Sequence, residues 1–272
     1  MIMKLEKVAE RIKKSNLAIV IGVILFALSS LITITNGFAV IANYYSETLG
    51  EKRALLNSIS QLSGGVNIKH FDTILGSPVF KNVRQEKFLE YIYVNKYFYI
   101  QAVTDQNEKV IFYSVTTREK DFNPEIPFGD WDEETGKQAN VILGETTFTE
   151  LNDTPEIYAN FRGAHNHFYT EGYWTGNPGG YRSYFFSLNE SGYENQSSPF
   201  MKNVPYVVST SSIFVGQESI TDPDLTSFRN ESVINTFTVT APMVRIDEIG
   251  QIEPPDLLLG PDYNQVRILD WH

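Results

Sequence analysis

The sequence predicts an α+β protein: an N-terminal transmembrane helix followed by an extracytoplasmic region of one or two helix-plus-antiparallel-sheet units. Three features carry that expectation. No residue from Ser15 to Ser46 is charged, apolar residues recur at helical spacing over 51–75, and aromatic segments separated by short polar turns follow.

The run LAIVIGVILFALSSLITIT (Leu17 to Thr35) has the length and apolarity that a hydrocarbon core of about 30 Å requires of a helix. It is longer than the apolar core of a signal peptide, although small residues at Val40 to Ala42 would suit a peptidase. Lys4, Lys7, Arg11, Lys13 and Lys14 precede it, whereas Lys52 and Arg53 after it are interleaved with Glu47 and Glu51. This bias holds the N-terminus in the cytoplasm. The expected layout is a cytoplasmic tail over 1–16, a transmembrane helix over 17–43, a first α+β unit over 44–120, a second, aromatic-rich unit over 121–198 and a β-rich extension over 199–272. The address that follows is the bacterial inner membrane, single-pass, with the bulk of the chain periplasmic or extracellular.

After the span, Leu55, Leu56, Ile59 and Leu62 share a helical face over EKRALLNSISQLS, which Gly64 and Gly65 stop. Asn67 can cap a short helix carrying Ile68, Phe71, Ile74 and Leu75, ended by Gly76 and Pro78. FLEYIYV from Phe88, YFYIQAV from Tyr97 and KVIFYSVT from Lys109 read as strands of a meander, joined by the turns NK and TDQNE.

Farther on, ILGETTF (Ile142 to Phe148) repeats the spacing of ILGSPVF (Ile74 to Phe80), and YRSYFFSLNESGY parallels KYFYIQAVTDQNEKV, which suggests a second copy of the unit. Beyond Pro199, VPYVVSTSSIFV and SVINTFTVTAPMVRI are β-branched strand candidates and NQVRILDW reads as a last strand. The segment GVNIKHFDTILGSP with its tyrosine-rich strands resembles the unit of the small outer-membrane-assembly lipoproteins (BamE-like), which the beta-lactamase-inhibitor-protein-like fold carries in tandem. That resemblance covers Glu51 to about Thr117 and implies a scaffold for binding proteins, with no catalytic residues to transfer. TGNPGGY between two aromatic strands resembles single-pass bacterial membrane proteins from which no activity can be imported.

Charge and composition remove several function classes. The chain carries a net charge of −11, and its basic tail leaves still more negative charge on the remainder, so a phosphate backbone is repelled and nucleic acid is disfavoured as a partner. There is no cysteine, hence no disulfide, thiolate site or cysteine nucleophile. No glycine-rich phosphate loop or G-x-S-x-G elbow is present. The carboxylates Asp130, Asp132, Glu133 and Glu134 lack EF-hand spacing.

The most chemical stretch is RGAHNHFYTEGYW, Arg162 to Trp174. As a strand it places His165, His167, Tyr169, Glu171 and Tyr173 on one face, with Phe168 and Trp174 on the other. The order His165, His167, Glu171 is similar to the first metal motif of the cupins, which implies a divalent metal held by those three. Two departures oppose it: Ala159 stands where that motif has glycine, and the only later histidine is His272. The competing expectation is an exposed aromatic hairpin that recognises a protein, with Tyr169, Tyr173, Trp174, Tyr181, Arg182 and Tyr184 as interface candidates, because such side chains offer large contact area with polar tips. The sequence therefore predicts a non-catalytic, membrane-anchored binding module with inner-membrane lipid and an unidentified protein as partners and no cofactor. A cupin-like metalloenzyme is the alternative.

Overall fold

The computed structural model describes residues 50–84, 86–132, 137–151, 155–162, 167–175, 180–193, 223–244 and 259–269. The expected span over 17–43 and the strand candidate VPYVVSTSSIFV lie outside them. No helix among the described residues is long and apolar enough to cross a membrane. The chain divides into two compact units, Met1–Asn57 and Ser58–His272. Helix α1 covers 50–60, so its described start lies in the first unit and its end in the second.

The second unit is α+β and is dominated by one antiparallel sheet of eight strands. Its strands are β1 (Phe80–Arg84), β2 (Phe88–Val94), β3 (Phe98–Thr104), β4 (Val110–Thr117), β7 (Ile157–Arg162), β8 (His167–Thr175), β9 (Arg182–Asn189) and β10 (Thr236–Thr240), in the spatial order β1-β2-β3-β4-β10-β9-β8-β7. Strands β5 (Glu125–Asp132) and β6 (Lys137–Ile142) form a separate hairpin. Among the described residues the other helices are α2 (Lys69–Leu75), α3 (Pro223–Glu231) and α4 (Tyr263–Val266), with 3-10 turns at Phe148–Leu151 and Arg267–Leu269.

From either edge inward, the sheet is a four-stranded meander that meets its counterpart at its last strand, β4 against β10. The connections match as well. Gly65 N–H donates to the Val110 carbonyl and Val110 N–H to that of Val66, just as Gly144 N–H donates to the Ile234 carbonyl and Ile234 N–H to that of Thr146. Asn67 bridges Lys109 just before β4, and Thr147 bridges Val233 shortly before β10. A short helical segment follows each bridge and leads into an outer strand: α2 into β1, and Phe148–Leu151 into β7.

The equivalence is therefore between 65–68 and 144–148, which corrects the alignment of Ile74 with Ile142. Ile74 lies inside α2, whereas Ile142 ends β6. The shared I-L-G arises because a positive φ is needed in both places, at Gly76 (+81°) closing α2 and at Gly144 (+82°) leaving β6, and glycine meets it without a Cβ penalty. Each meander also has four strands rather than the expected three. The second runs past residue 198, since its last strand is β10.

Burial explains the pattern of residue types. The register sets Tyr93, Ile100, Val115, Phe237, Phe186 and Glu171 in one row across the sheet, so one face is ring-rich. Phe71 of α2 is fully buried there, with ring centroids 5.5 Å from Tyr113 and 6.3 Å from Tyr93. Phe128 of β5 packs on Phe186 at 4.7 Å.

Strand β10, TFTVT, alternates with period two: Phe237 and Val239 join that face, and Thr236, Thr238 and Thr240 point to the other. Hydroxyls buried on the second face need partners, and they find them across strands. Thr236 Oγ1 lies 2.8 Å from Thr116 Oγ1, and Thr238 Oγ1 lies 2.7 Å from Ser114 Oγ.

NQVRILDW does not form the expected strand. Pro261 and Asp262 start a helix there instead, with the Asp262 carboxylate accepting from Asn264 N–H at 2.8 Å.

Candidate functional site

Of the histidine-tyrosine stretch, Arg162 ends β7 and His167 to Trp174 lie in β8, which pairs with β7 on one side and β9 on the other. Alternation puts Tyr169, Glu171 and Tyr173 on the ring-rich face. Glu171 is 0% exposed, and a carboxylate so enclosed needs several donors. It has four. Oε1 accepts from Tyr169 Oη at 2.6 Å and from Arg229 Nε at 2.6 Å, and Oε2 accepts from Tyr173 Oη at 2.6 Å and from Arg229 Nη2 at 3.2 Å.

Arg229 belongs to α3 and also donates from Nη2 to the Phe148 carbonyl at 3.1 Å, tying that helix to the 3-10 turn. Aromatic rings close the centre. Phe148 and Phe228 stand edge-on to Tyr169 at 4.9 and 4.8 Å, and Phe128 stands edge-on to Tyr173 at 5.1 Å.

Burial first, and then the Glu171 charge and hydrogen bond, push the Tyr169 and Tyr173 phenols well above their ordinary value, so both stay protonated donors. For Arg229, burial pulls the guanidinium down, but its bonds and attraction to Glu171 outweigh that and raise it. The centre is one anion, one cation and two neutral donors in a closed shell. Each carboxylate oxygen already accepts two bonds, which occupies the acceptor directions of Glu171.

This corrects two expectations. Glu171 is not a free metal ligand, because turning to a metal would abandon a buried Arg229. His165 and the His167 side chain lie outside the described residues, and among those residues no group of three His, Cys, Asp or Glu is placed to hold a metal ion. Tyr169 and Tyr173, at 0% and 4% exposure, are not an exposed interface, because Phe148, Phe228 and Phe128 lie over that face of the sheet.

The remaining interface candidates separate. Trp174, on the opposite face, packs half-buried against a cluster of Val103, Phe112, Phe185 and Leu259. Tyr184 is half-buried with its ring 5.7 Å from Phe128, and burial raises its phenol, opposed by Arg182. Tyr181 is 48% exposed, beside a half-buried Arg182 at the start of β9.

Met243, not among the sequence candidates, joins Tyr181. It is 68% exposed, and its N–H donates to the Tyr181 carbonyl at 2.7 Å. Both adopt positive φ, +54° at Tyr181 and +68° at Met243, a region that large side chains rarely occupy. Arg229 was also missed, since it lies 58 residues from Glu171. A buried carboxylate demands a cation, but only the fold selects which.

A second buried carboxylate occupies the other half. Glu90, 2% exposed, accepts from Asn82 Nδ2 at 2.7 Å, from Arg84 Nη2 at 2.8 Å and Nε at 3.1 Å, and from Gln101 Nε2 at 2.6 Å.

No protein-family model and no curated protein matches the chain. Among solved structures, a cysteine-rich secretory protein from Staphylococcus aureus subsp. aureus Mu50 is similar at a TM-score of 0.28 and 8% identity, over 65% of this chain and 44% of that one. An extracellular protein containing an SCP domain from Bacillus anthracis str. Ames is similar at 0.29 and 11% identity, over 71% of this chain and 55% of that one. The chain thus spans about half the length of each, and likenesses of this size carry no functional argument.

Proposed function

We propose that the protein is a non-catalytic binding module, tethered to the bacterial inner membrane by the apolar segment 17–43 with its N-terminus cytoplasmic, which recognises a protein outside the cytoplasm. The observation that carries this reading is the contrast between the Glu171 centre and the Tyr181–Met243 corner. Tyr169, Glu171, Tyr173 and Arg229 are locked into inward bonds, while two large side chains are exposed at backbone angles that cost of order 1–3 kcal/mol each. Exposed aromatic and methionine side chains joined by the Met243 N–H to Tyr181 carbonyl bond suit a protein contact, and Arg182 next in the chain supplies a charge. We keep the BamE-like resemblance of Glu51 to about Thr117 as part of this proposal, because it implies a scaffold that binds proteins.

Photocrosslinking from position 181 or 243 of the full chain in intact membranes tests the reading. A discrete protein adduct, weakened by Arg182→Glu, is expected. Adducts to lipid alone, or none from either position, would sink it. Protease added outside the inner membrane should digest the chain from Tyr44 onward, and a protected C-terminus would overturn the tether's orientation.

A further inference from the structure

On the hydroxyl-lined face, Leu259–Pro261 lies across the seam where the two meanders meet, and the sheet holds it through its backbone. Gly260 N–H donates to Gln101 Oε1 at 2.8 Å, the Leu259 carbonyl accepts from Asn189 Nδ2 at 3.2 Å, and the Pro261 carbonyl lies 3.1 Å from Ser191 Oγ. Gln101 belongs to the first meander, and Asn189 and Ser191 to the end of the second. Leu259, 1% exposed, fills a pocket of Val103, Phe112 and Phe185, and seven residues later Val266, also 1% exposed, fills one formed by Ile92 and Tyr99.

Between the pockets the backbone passes so close to the sheet that only glycine fits. A Cβ at Gly260 would stand 2.6 Å from Asn189 Nδ2 and 2.9 Å from Thr116 Oγ1, and φ there is +103°. Backbone bonds at 259–261 together with pockets for Leu259 and for Val266 of the short helix α4 divide affinity from specificity as peptide-binding grooves do.

The groove also holds its shape through bonds that do not involve its occupant. Gln101 is fixed by Glu90 Oε1 at 2.6 Å and by Ser114 Oγ at 3.2 Å. The Asn189 backbone N–H donates to Asn235 Oδ1 at 2.8 Å, and Asn189 Oδ1 accepts from Ser191 N–H at 2.9 Å. Departure of the segment would uncover the apolar pockets that Leu259 and Val266 fill, but the polar side chains that hold its backbone keep their other bonds.

We propose that this face is a peptide-binding groove whose resident ligand is the chain's own Leu259–Val266, and that it exchanges this ligand for the same segment of a second copy of the chain. The second copy is the indicated partner because the apolar pocket, the glycine-sized gap and the spacing to the second pocket match this sequence by construction, and exchange between identical chains needs no new interface. The site uses residues other than the Tyr181–Met243 corner, so it stands or falls separately from the binding reading above.

The test uses the full chain in detergent or nanodiscs. Copies bearing two different tags, mixed and incubated at high concentration, are expected to co-purify, and an excess of synthetic peptide spanning 257–269 should reduce the co-purified fraction at least tenfold. Gly260→Ala, which expels the segment, should abolish co-purification while letting the groove take up labelled wild-type peptide.

Failure to co-purify at any concentration overturns the exchange. It does so even if Gly260→Ala binds peptide, since the groove would then serve a different ligand. Should Gly260→Ala fail to fold, hydrogen exchange on the wild type decides. Amides of 260 and 266 exchanging well before those of β4 and β10 support a detachable segment, and exchange of all together in the global unfolding step overturns it.

Discussion

Glu90 and Glu171 are buried carboxylates in the two halves of one sheet, each on the second strand from its edge, and they are secured in opposite ways. Glu90 takes its cation from Arg84, six residues away across the β1–β2 hairpin and 24% exposed, and it has two neutral amide donors besides. Glu171 takes its cation from Arg229, 58 residues away on α3, with that side chain only 14% exposed and both other donors enclosed. The first centre stiffens a local hairpin. The second holds α3 and the 3-10 turn onto the sheet, so the second half gains its closure only when distant parts of the chain have come together.

The sharpest way to break this comparison is to delete each arginine. Arg229→Ala leaves an enclosed carboxylate without a counter-charge and should cost about 3–5 kcal/mol. Arg84→Ala should cost about 1 kcal/mol, because Asn82 and Gln101 remain and removing the partly exposed Arg84 side chain admits water. Urea midpoints at unchanged slope provide the measurement. Equal losses would show that the two centres are energetically alike, whatever their geometry.

Alkali tests the Glu171 centre next. Tyr169 and Tyr173 have folded values raised above the ordinary value near 10, so in this range the unfolded chain releases protons that the folded one keeps. The contribution of these phenols is fully present below about pH 10 and is lost as pH rises above it, by about 1.4 kcal/mol per pH unit for each. Tyr93 and Tyr113 in the first half are raised too, Tyr93 by burial and by Asp72, and Tyr113 by burial. Replacing Tyr169 and Tyr173 by Phe should therefore remove about 2 kcal/mol of the decline between pH 10 and 11 relative to wild type, since the unfolded phenols are only half ionised at about pH 10. An unchanged slope would mean that those two phenols ionise freely while folded.

The same asymmetry governs what could be read in the sequence. FLEYIYV, YFYIQAV and KVIFYSVT coincide within a residue with β2, β3 and β4, because their neighbours in the chain are their neighbours in the sheet. The strand through Tyr169, Glu171 and Tyr173 was legible with its alternation, but not the identity of what covers it. Phe148, Phe228 and Arg229 arrive from elements that periodicity cannot place, so a buried face read as an exposed one. The edge strand β1 was missed because FKNVR has only two apolar residues among cationic and amide ones, which suits an edge. Strand β10 was legible as a strand, but its place at the centre depends on pairing with β4 and β9, and no local signal reports that.

Glycine substitutions sharpen the link between the halves. A Cβ at Gly64 would stand 2.7 Å from the Ala241 backbone nitrogen just beyond β10, whereas one at Gly76 meets nothing within 4 Å. Gly64→Ala must push apart two backbones and should cost about 2–3 kcal/mol. Gly76→Ala pays only for its φ of +81° and should cost about 1 kcal/mol. Thermal midpoints measured side by side would rank them, and the reverse order would show that Gly64 has room the backbone contact denies.

The smallest expected effect concerns the equivalent helical turns that lead into the outer strands. In the first half Asn67 Oδ1 accepts from Lys69 N–H at 3.0 Å, so the side chain itself satisfies a first-turn amide of α2. In the second half the roles are reversed. Glu150 Oε2 reaches back to accept from Thr147 N–H at 2.6 Å and Thr147 Oγ1 at 2.9 Å, which is the return leg of a capping box. Asn67→Ala should therefore cost about 0.5–1 kcal/mol, and Thr147→Ala less, because Glu150 still accepts the backbone amide. Glu150→Ala should cost as much as Asn67→Ala, since it removes the acceptor itself. Asn67 and Glu150 are solvent-exposed and Thr147 is half-buried, so water limits each loss. If Thr147→Ala proved the most damaging, the threonine would be acting as an acceptor like Asn67, and both turns would share one capping mechanism as well as one position in the fold.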